Sequence, residues 1–312
     1  MPLLRLGSRG SPLALAQTEE TKRRLAEAHP ELAAPDAVEI VVIKTTGDRV
    51  QDRPLSEIGG KGLFTKEIEE ALFDSRIDVA VHSMKDMPTW PPESLELAAY
   101  LPREDPRDAF FSPHGHRIVD LPQGAVVGTS SLRRQSQVLA LRPDLRVVSL
   151  RGNVDTRLRK LAAKDIDATL LALAGLRRLG RDDRPHSVLE TDEMLPAVGQ
   201  GAIGLQCRKA DERTQAWLRT IDDELTRQRV EAERACLAVL DGSCRTPIAA
   251  LAECTQEGGM RLRALVATPD GARVWQGEET GSQRDFLRLG QSLGQRLRLD
   301  AGEEFFASLA SH

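Results

Sequence analysis

The residues with the clearest chemical potential lie in Val81-His82-Ser83-Met84-Lys85-Asp86-Met87-Pro88. An apolar run, Ile77-Asp78-Val79-Ala80-Val81, precedes them and reads as a short buried strand. Pro88 stops any continuation. Ligands of open α/β sheets gather just beyond the carboxyl ends of strands, and Asp86 falls at such a position. A carboxylate there suits catalysis. The plainer alternative is a surface turn carrying an ordinary Lys85–Asp86 pair.

A second group of candidates is cationic. Arg133, Arg134, Arg151, Arg157, Arg177 and Arg178 all fall at strand ends or first helical turns. Guanidinium forks pair bidentately with carboxylates or phosphates, so the pattern points to an anion-binding cleft. A charge run is otherwise a solvated face, which is the reading for Arg159-Lys160. Near the N-terminus, Gly7-Ser8-Arg9-Gly10-Ser11-Pro12 is a glycine- and serine-bearing turn feeding a helix, with Ser11 as N-cap and Pro12 at the first helical position. Free backbone N–H groups at such a helix start favour an anion, and Arg9 adds charge; a well-capped helix with no ligand is the alternative.

The third group is sulfur. The four cysteines, Cys207, Cys236, Cys244 and Cys254, form no C-x-x-C pair, so neither a zinc site nor a thioredoxin-like motif is expected, and no metal is assigned. Cys207 lies in an apolar strand and Cys236 in an amphipathic helix, both as packing residues, while Cys254 ends a strand without further signal. Cys244 differs. It sits in Leu240-Asp241-Gly242-Ser243-Cys244-Arg245-Thr246-Pro247, a loop of small residues with Arg245 alongside to favour the thiolate. An unremarkable loop cysteine is the alternative, and no histidine stands near it in sequence for a protease-like pair.

These groups need a scaffold. The helix after Pro12 carries Leu13, Ala16, Leu25 and Ala28 as its apolar stripe and closes at Pro30. A strand over Val38–Ile43 follows, then a polar stretch from Asp48 to Gly62 that reads as a loop or lid, then a helix with Phe64, Ile68, Ala71 and Leu72 on one face. Gly59-Gly60-Lys61-Gly62 lacks the Walker spacing and is not a P-loop. After Pro102 the scheme starts again. Val126 to Gln135 repeats the strand, Gly-Ser turn and helix of Leu6 to Gln17, and Val147 to Asn153 echoes Val41 to Gly47. A helix from Val154 to Ala163 then leads into Ile166-Asp167-Ala168-Thr169-Leu170, matching Ile77 to Val81. Two α/β units in series imply two lobes facing a cleft; chance similarity of α/β segments is the competitor.

Met194-Leu195-Pro196-Ala197-Val198-Gly199-Gln200-Gly201-Ala202 reads as a crossing back to the first lobe, with Ile203 to Cys207 as a strand inserted into its sheet. From Asp222 a long helix runs to Leu240. Alternating segments at Ile248–Cys254, Met260–Ala267 and Ala272–Gly277, split by Gly258-Gly259 and Asp270-Gly271, then predict an antiparallel sheet in a small α+β domain. The expected fold class is α/β: two doubly wound lobes plus that C-terminal domain. Domain bounds are 1–101 with 201–219, 102–200, and 220–312.

Composition narrows the function. At 312 residues two or three domains are expected, and no apolar run is long enough to span a bilayer. Met1-Pro2-Leu3-Leu4-Arg5 lacks a secretory layout, which places the chain in the cytoplasm. Aromatic content of 4% and net charge of −4 argue against a nucleic-acid surface. No large interface is apparent, so a monomer is expected.

Taken together, seven segments resemble the porphobilinogen deaminase (hydroxymethylbilane synthase) family. They are Gly7 to Ala14, Gly59 to Phe64, His82 to Pro88, Gly128 to Gln135, Arg151-Gly152-Asn153-Val154-Asp155-Thr156-Arg157, Pro196 to Gly201 and Gly242-Ser243-Cys244, in the family's order and across almost the whole chain. The resemblance implies a three-domain transferase whose first two domains are like periplasmic binding proteins. It condenses four porphobilinogen molecules with loss of ammonia and releases hydroxymethylbilane. It implies a dipyrromethane cofactor joined by thioether to Cys244, and Asp86 as the catalytic residue that stabilises a cationic intermediate of the substrate. Ser83, Lys85, Ser130, Ser131, Arg133, Arg134, Arg151 and Gly152 are the implied cofactor contacts, and Arg9, Ser11, Lys61, Arg157, Arg178 and Gln200 the implied substrate contacts. Two positions depart from the family pattern: Glu57 where some members have lysine, and Asp155, whose charge could weaken anion binding unless it serves the helix N-terminus. A non-enzymatic two-lobe anion- or solute-binding protein is the alternative; it accounts for the lobes and arginines but not for Cys244 or the third domain.

Overall fold

A computed structural model of the chain describes residues 2–49, 64–184, 186–240 and 246–310. The first elements are β1 (Leu4–Arg9), α1 (Pro12–Ala28), β2 (Val38–Ile43), α2 (Thr46–Arg49), α3 (Lys66–Phe73), β3 (Val79–Ser83) and β4 (Leu95–Tyr100). Next come β5 (Asp108–Phe111), β6 (Val126–Gly128), α4 (Leu132–Leu141), β7 (Arg146–Val148), α5 (Val154–Ala162), β8 (Ala168–Ala172), α6 (Leu173–Arg178) and β9 (Ser187–Val188). The chain continues through β10 (Ile203–Arg208), α7 (Glu212–Arg219), α8 (Glu224–Val239), β11 (Ile248–Cys254), β12 (Gly259–Ala267), β13 (Val274–Ser282), α9 (Phe286–Ala301) and α10 (Glu303–Ala310).

The described residues fall into two compact units: 2–49, 64–104 and 201–227 in one, and 105–184, 186–200, 228–240 and 246–310 in the other. The first holds a five-stranded sheet of order β2-β1-β3-β10-β4, in which β1 runs parallel to β2 and β3 while β10 runs antiparallel to β3 and β4. The inserted strand expected at Ile203–Cys207 is therefore real. Period-two alternation sends side chains to opposite faces. Leu4, Leu6, Val79 and Val81 pack with Leu25 of α1 and Trp217 of α7 on one face, and Ala80 packs with Ile68, Ala71 and Leu72 of α3 on the other. Helices on both faces make the sheet doubly wound.

The second unit repeats that plan in a five-stranded sheet of order β7-β6-β8-β5-β9. The repetition extends to single atoms. Asp78 Oδ2 accepts from the Arg5 N–H at 2.9 Å, and Asp167 Oδ2 accepts from the Val126 N–H at 2.7 Å. A Cβ on Gly7 would lie 2.3 Å from Ile77 Cδ1, and one on Gly128 would lie 2.8 Å from Ile166 Cδ1. In both sheets a glycine in the first strand leaves room for the isoleucine that leads into the third. This unit also contains the three-stranded antiparallel sheet β11-β12-β13. Ile248, Ala250 and Ala252 of that sheet pack against Cys236 of α8 and Leu289, Leu293 and Leu297 of α9, and Ala249 and Leu251 face Leu195.

Three expectations need correction. The buried face of α1 is Gln17, Thr18, Thr21 and Leu25; of the predicted apolar stripe only Leu25 is buried, while Leu13 and Ala16 are half-buried and Ala28 is exposed. Thr18 and Thr21 donate their hydroxyls to the carbonyls of Ala14 and Gln17, each at 2.9 Å, so a threonine face is buried without loss of hydrogen bonds. Phe64 precedes α3 instead of lying on its face, because its ring packs under Arg9. The third strand of the antiparallel sheet runs Val274–Ser282, longer than the predicted Ala272–Gly277, and α9 after it was not anticipated although Phe286, Leu289, Leu293 and Leu297 recur at helical spacing.

Candidate active site

In the first unit, β1 and β3 lie side by side in parallel, with Gly7 opposite Ala80, so their carboxyl ends open on the same sheet edge. β1 ends at Arg9 and β3 at Ser83. The turn after β3 is a single 3-10 turn over Met84–Asp86, closed by the Met87 N–H on the Met84 carbonyl at 3.3 Å. Met84 and Met87 are both buried, and the Met84 N–H is tied to the Ala202 carbonyl at 3.0 Å. Gly204 makes room for this: a Cβ there would lie 2.2 Å from Met84 Sδ. Two anchored methionines thus leave Lys85 and Asp86 between them, both half-buried.

Arg9, Ser11, Phe64, His82, Ser83 and Asp86 line one depression at this edge, together with Leu13, Ala14 and Gln17 of α1. Arg9 Nη1 stands 3.9 Å from Asp86 Oδ2, with their side chains 22% and 34% exposed, an ion pair too long and too wet to be a strong stabiliser. The guanidinium lies over the Phe64 ring, 4.0 Å from its centroid, which fixes its plane. Ser11 is the N-cap of α1, its Oγ accepting from the Ala14 N–H at 3.2 Å. His82 is buried, and its Nε2 meets Gln206 Oε1 at 3.0 Å. Burial pushes its pKa down to about 4, against a smaller upward pull from Gln206 and Asp86, so the ring is neutral at physiological pH. His82 and Phe64 are residues that sequence reasoning passed over. The signal for His82 was available, since it is a histidine at the last buried position of a strand, directly beside Ser83.

The second unit holds the arginines. Ser131 caps α4, with Oγ accepting from the Arg134 N–H at 3.4 Å, and Ser130 Oγ lies 3.0 Å from Ser149 Oγ. Arg133 and Arg134, at the start of α4, are both buried and share the fully buried Asp108: their Nη2 atoms donate to its two oxygens at 2.8 Å each. Their Nη1 atoms donate to the carbonyls of Leu195 and Leu170. Burial alone would push the Asp108 carboxyl up, but the two guanidiniums outweigh it and hold it well below the usual carboxylate range. Gln200 is also buried and donates from Nε2 to Asp108 Oδ1 at 2.9 Å and to the Pro106 carbonyl at 2.6 Å.

Arg151 and Gly152 precede the N-cap of α5, Asn153, whose side chain accepts from the Thr156 N–H at 2.9 Å. Gly152 has φ of +114°, a conformation that favours glycine, and its carbonyl accepts from Arg157 Nε at 2.9 Å. Burial, with Arg134 and Arg151 nearby, pushes the Arg157 guanidinium down to about 10. Arg177 and Arg178 lie in the last turn of α6, not at a strand end or first helical turn as expected, and Arg178 is half-buried. Asp155 faces Arg184 and Arg181, at 3.3 and 3.5 Å, so its charge is met by two cations of its own. Lys61, Glu57 and Cys244 lie outside the described residues. Cys207 and Cys236 are buried, which pushes their thiols up to about 12, and Cys254 is exposed.

The donor set can be tested against a polycarboxylate such as dipyrromethane with its acetate and propionate arms. Burial raises the cost of charging Arg157, and Arg134 and Arg151 lie close enough that each raises it further; anions relieve that cost. The buried Nε–H groups of Arg133 and Arg134 have no acceptor among the described residues. Both features fit an acidic ligand. Among the described residues, no helix is long and apolar enough to cross a membrane.

Comparison with known proteins gives the family. Residues 4–216 match the model for porphobilinogen deaminase, dipyromethane cofactor binding domain, and residues 227–298 match that for the porphobilinogen deaminase C-terminal domain. The chain is 55% identical over 310 residues to a chloroplastic porphobilinogen deaminase of Oryza sativa subsp. japonica, an alignment covering 98% of this chain and 86% of the rice protein. It is 54% identical over 309 residues to porphobilinogen deaminase of Nitrobacter winogradskyi, covering 99% of this chain and 96% of that protein. With Paracoccus denitrificans porphobilinogen deaminase it shares 56% identity over 303 residues, covering 97% and 96%. The chain belongs to the porphobilinogen deaminase family, the hydroxymethylbilane synthases that work with a dipyrromethane cofactor.

Proposed function

We propose that Asp86 is the catalytic carboxylate of this transferase and that the arginines and hydroxyls around the two sheet edges hold the acidic side chains of its substrate and cofactor. The reaction condenses four porphobilinogen molecules head to tail with loss of ammonia and releases the linear tetrapyrrole hydroxymethylbilane. A solute-binding role for the same lobes is not favoured, because both matching family models are those of the deaminase.

The Asp86 turn carries the reading. Its carboxylate stands among cationic and hydroxyl groups suited to anions, a setting that is unfavourable for another anion unless a cation must form beside it. Loss of ammonia leaves positive charge on porphobilinogen, and Asp86, fixed by two buried methionines, balances it with no reorganisation. Asp86 Oδ2 is also the atom available to exchange a proton with the leaving amine. Arg9, Ser11, Lys61, Arg157, Arg178 and Gln200 are assigned to substrate, and Ser83, Lys85, Ser130, Ser131, Arg133, Arg134, Arg151 and Gly152 to cofactor. For Arg133, Arg134 and Gln200, part of this role is indirect: they already bind Asp108, and the Nε–H groups of the two arginines are what remain for a ligand.

Dipyrromethane, when bound, supplies the primer pyrrole that each new unit joins. We assign its anchor to Cys244 in a third domain of residues 220–312. Supporting this, Cys207 and Cys236 are buried thiols pushed up to about 12, which leaves little thiolate for a thioether bond. The enzyme is read as a cytoplasmic monomer acting on a small molecule, without nucleic acid or membrane; unpaired cysteines at Cys207, Cys236 and Cys254 fit a reducing compartment. Intact mass tests the anchor. The wild-type chain should carry the mass of one dipyrromethane, Cys254→Ser should keep it and Cys244→Ser should lose it. An adduct that survives Cys244→Ser refutes the assignment.

A further inference from the structure

One buried chain of polar groups behind the Asp86 depression has no part in the roles assigned so far. His82 on β3 and Gln206 on β10 share a sheet face, since Gly204 pairs with His82 and Gln206 lies two residues on. That face carries α3, which contributes Glu69. Gln206 Nε2 donates to Glu69 Oε1 at 3.2 Å, so Gln206 Oε1 is an acceptor, and His82 Nε2, 3.0 Å away, must carry the proton. The network therefore assigns the tautomer: Nε2–H inward, and Nδ1 as a bare lone pair on a ring that lines the depression with Asp86, Arg9, Ser11 and Ser83. All three residues are buried.

We propose that His82 is a substrate-binding residue whose Nδ1, held as a neutral acceptor by the Gln206–Glu69 relay, takes an N–H of porphobilinogen beside Asp86. The inference rests on the reading that porphobilinogen occupies this depression. Its logic is one of charge. Porphobilinogen presents an ammonium and a pyrrole N–H, both donors. Asp86 answers the positive charge; a second carboxylate would bind the ground-state ammonium more tightly without favouring departure of ammonia. A neutral imidazole accepts one N–H and adds no charge. An imidazolium would offer only donors and would repel the cation. The groups that face the ring favour the neutral form: burial and Arg9 from β1 oppose charging, Asp86 on its own turn favours it more weakly, and Glu69 on α3 is separated from it by Gln206.

Nitrogen-15 histidine spectra of the holoenzyme read the tautomer directly, with His82 assigned from its absence in His82→Gln. The expected spectrum shows Nε2–H and a bare Nδ1 unchanged from pH 8 to pH 6, and an Nδ1 resonance that moves toward the hydrogen-bonded range when porphobilinogen is added to Asp86→Asn holoenzyme. An Nδ1–H tautomer, a ring that charges in that range, or an Nδ1 indifferent to porphobilinogen overturns the proposal. In kinetics, His82→Phe should raise KM for porphobilinogen roughly tenfold to a hundredfold, the loss of one hydrogen bond to a charged donor, with a smaller change in kcat. His82→Gln, which keeps an acceptor oxygen, should recover part of it. Unchanged KM in His82→Phe beside a dead Asp86→Asn overturns the His82 role and leaves Asp86 standing. An active Asp86→Asn overturns the Asp86 reading whatever His82 does.

Discussion

Replacing Asp108 by Asn is a test of what Arg133 and Arg134 are for. Asp108 is fully buried, and its Oδ2 accepts from Arg133 while its Oδ1 accepts from Arg134 and Gln200, at 2.8, 2.8 and 2.9 Å. Asn has the same shape but only one acceptor oxygen. If the oxygen takes the Oδ1 position, Arg134 and Gln200 keep their bonds and Arg133 faces an N–H donor; the opposite orientation costs two bonds. Either way two buried guanidiniums lose their counter-charge. Breaking one side of a buried ion pair costs about 3–5 kcal/mol, and that range is the expected loss of stability in the second unit. The assay is urea unfolding followed by Trp275, which packs against the core of the same unit, in a Trp90→Phe/Trp217→Phe background. The pH dependence supplies a second readout. A carboxyl held below its unfolded value stabilises the fold above the usual carboxylate range, and that contribution is lost as pH falls toward the depressed value. The parent should therefore lose stability below about pH 4, and Asp108→Asn should lack that component. A loss under about 1 kcal/mol, with unaltered acid sensitivity, would refute the view that this triad is a structural keystone.

Three further outcomes follow from single sites. Gly290 of α9 packs so closely on α8 that a Cβ would lie 2.2 Å from the Ala232 carbonyl oxygen, and backbone cannot yield as a side chain can; Gly290→Ala should cost about 1–3 kcal/mol or more in thermal or urea unfolding, despite alanine's better helix propensity. The His82 ring, with a pKa of about 4 when folded, contributes stability that is fully present above its unfolded value of about 6.5 and is lost as pH falls toward 4; at most about 3 kcal/mol is at stake, and the difference between parent and His82→Gln unfolding curves across that window measures it. Arg157, crowded by Arg134 and Arg151, should make KM for porphobilinogen rise with ionic strength, and Arg157→Leu should flatten that rise in steady-state assays at low and moderate salt.

Much of this was legible in the sequence because it depends on local rules. The strand before Asp86, the serine cap at Ser11, and the inserted strand at Ile203–Arg208 all follow from periodicity and capping chemistry. The duplication was readable from Gly7 and Gly128, and the structure gives its cause: both glycines clear space for an isoleucine that precedes the third strand. What escaped were pairings between residues distant in sequence. Nothing near Arg133 and Arg134 announces Asp108, some two dozen residues upstream, so the sequence pointed to both as ligand-binding cations of a cleft and not as partners of a buried carboxylate. Phe64 had helical spacing but serves as a platform for Arg9. Threonines at Thr18 and Thr21 looked polar, yet with their hydroxyls satisfied by the preceding turn they pack as small apolar groups.

In the mechanism proposed, one carboxylate does the chemistry while the arginines only bind. Asp86→Asn removes that charge on a half-exposed turn and disturbs no buried pair. Single-turnover release of ammonia from porphobilinogen by this variant, with its intact mass checked first, is the most direct measurement. The predicted result is a folded protein that still carries dipyrromethane and still binds porphobilinogen, with ammonia release slowed by about a thousandfold, the loss expected when one preorganised charge opposite a developing ion is removed. Release within about a factor of ten of the parent rate would contradict the central claim and return Asp86 to the role of a simple partner for Arg9.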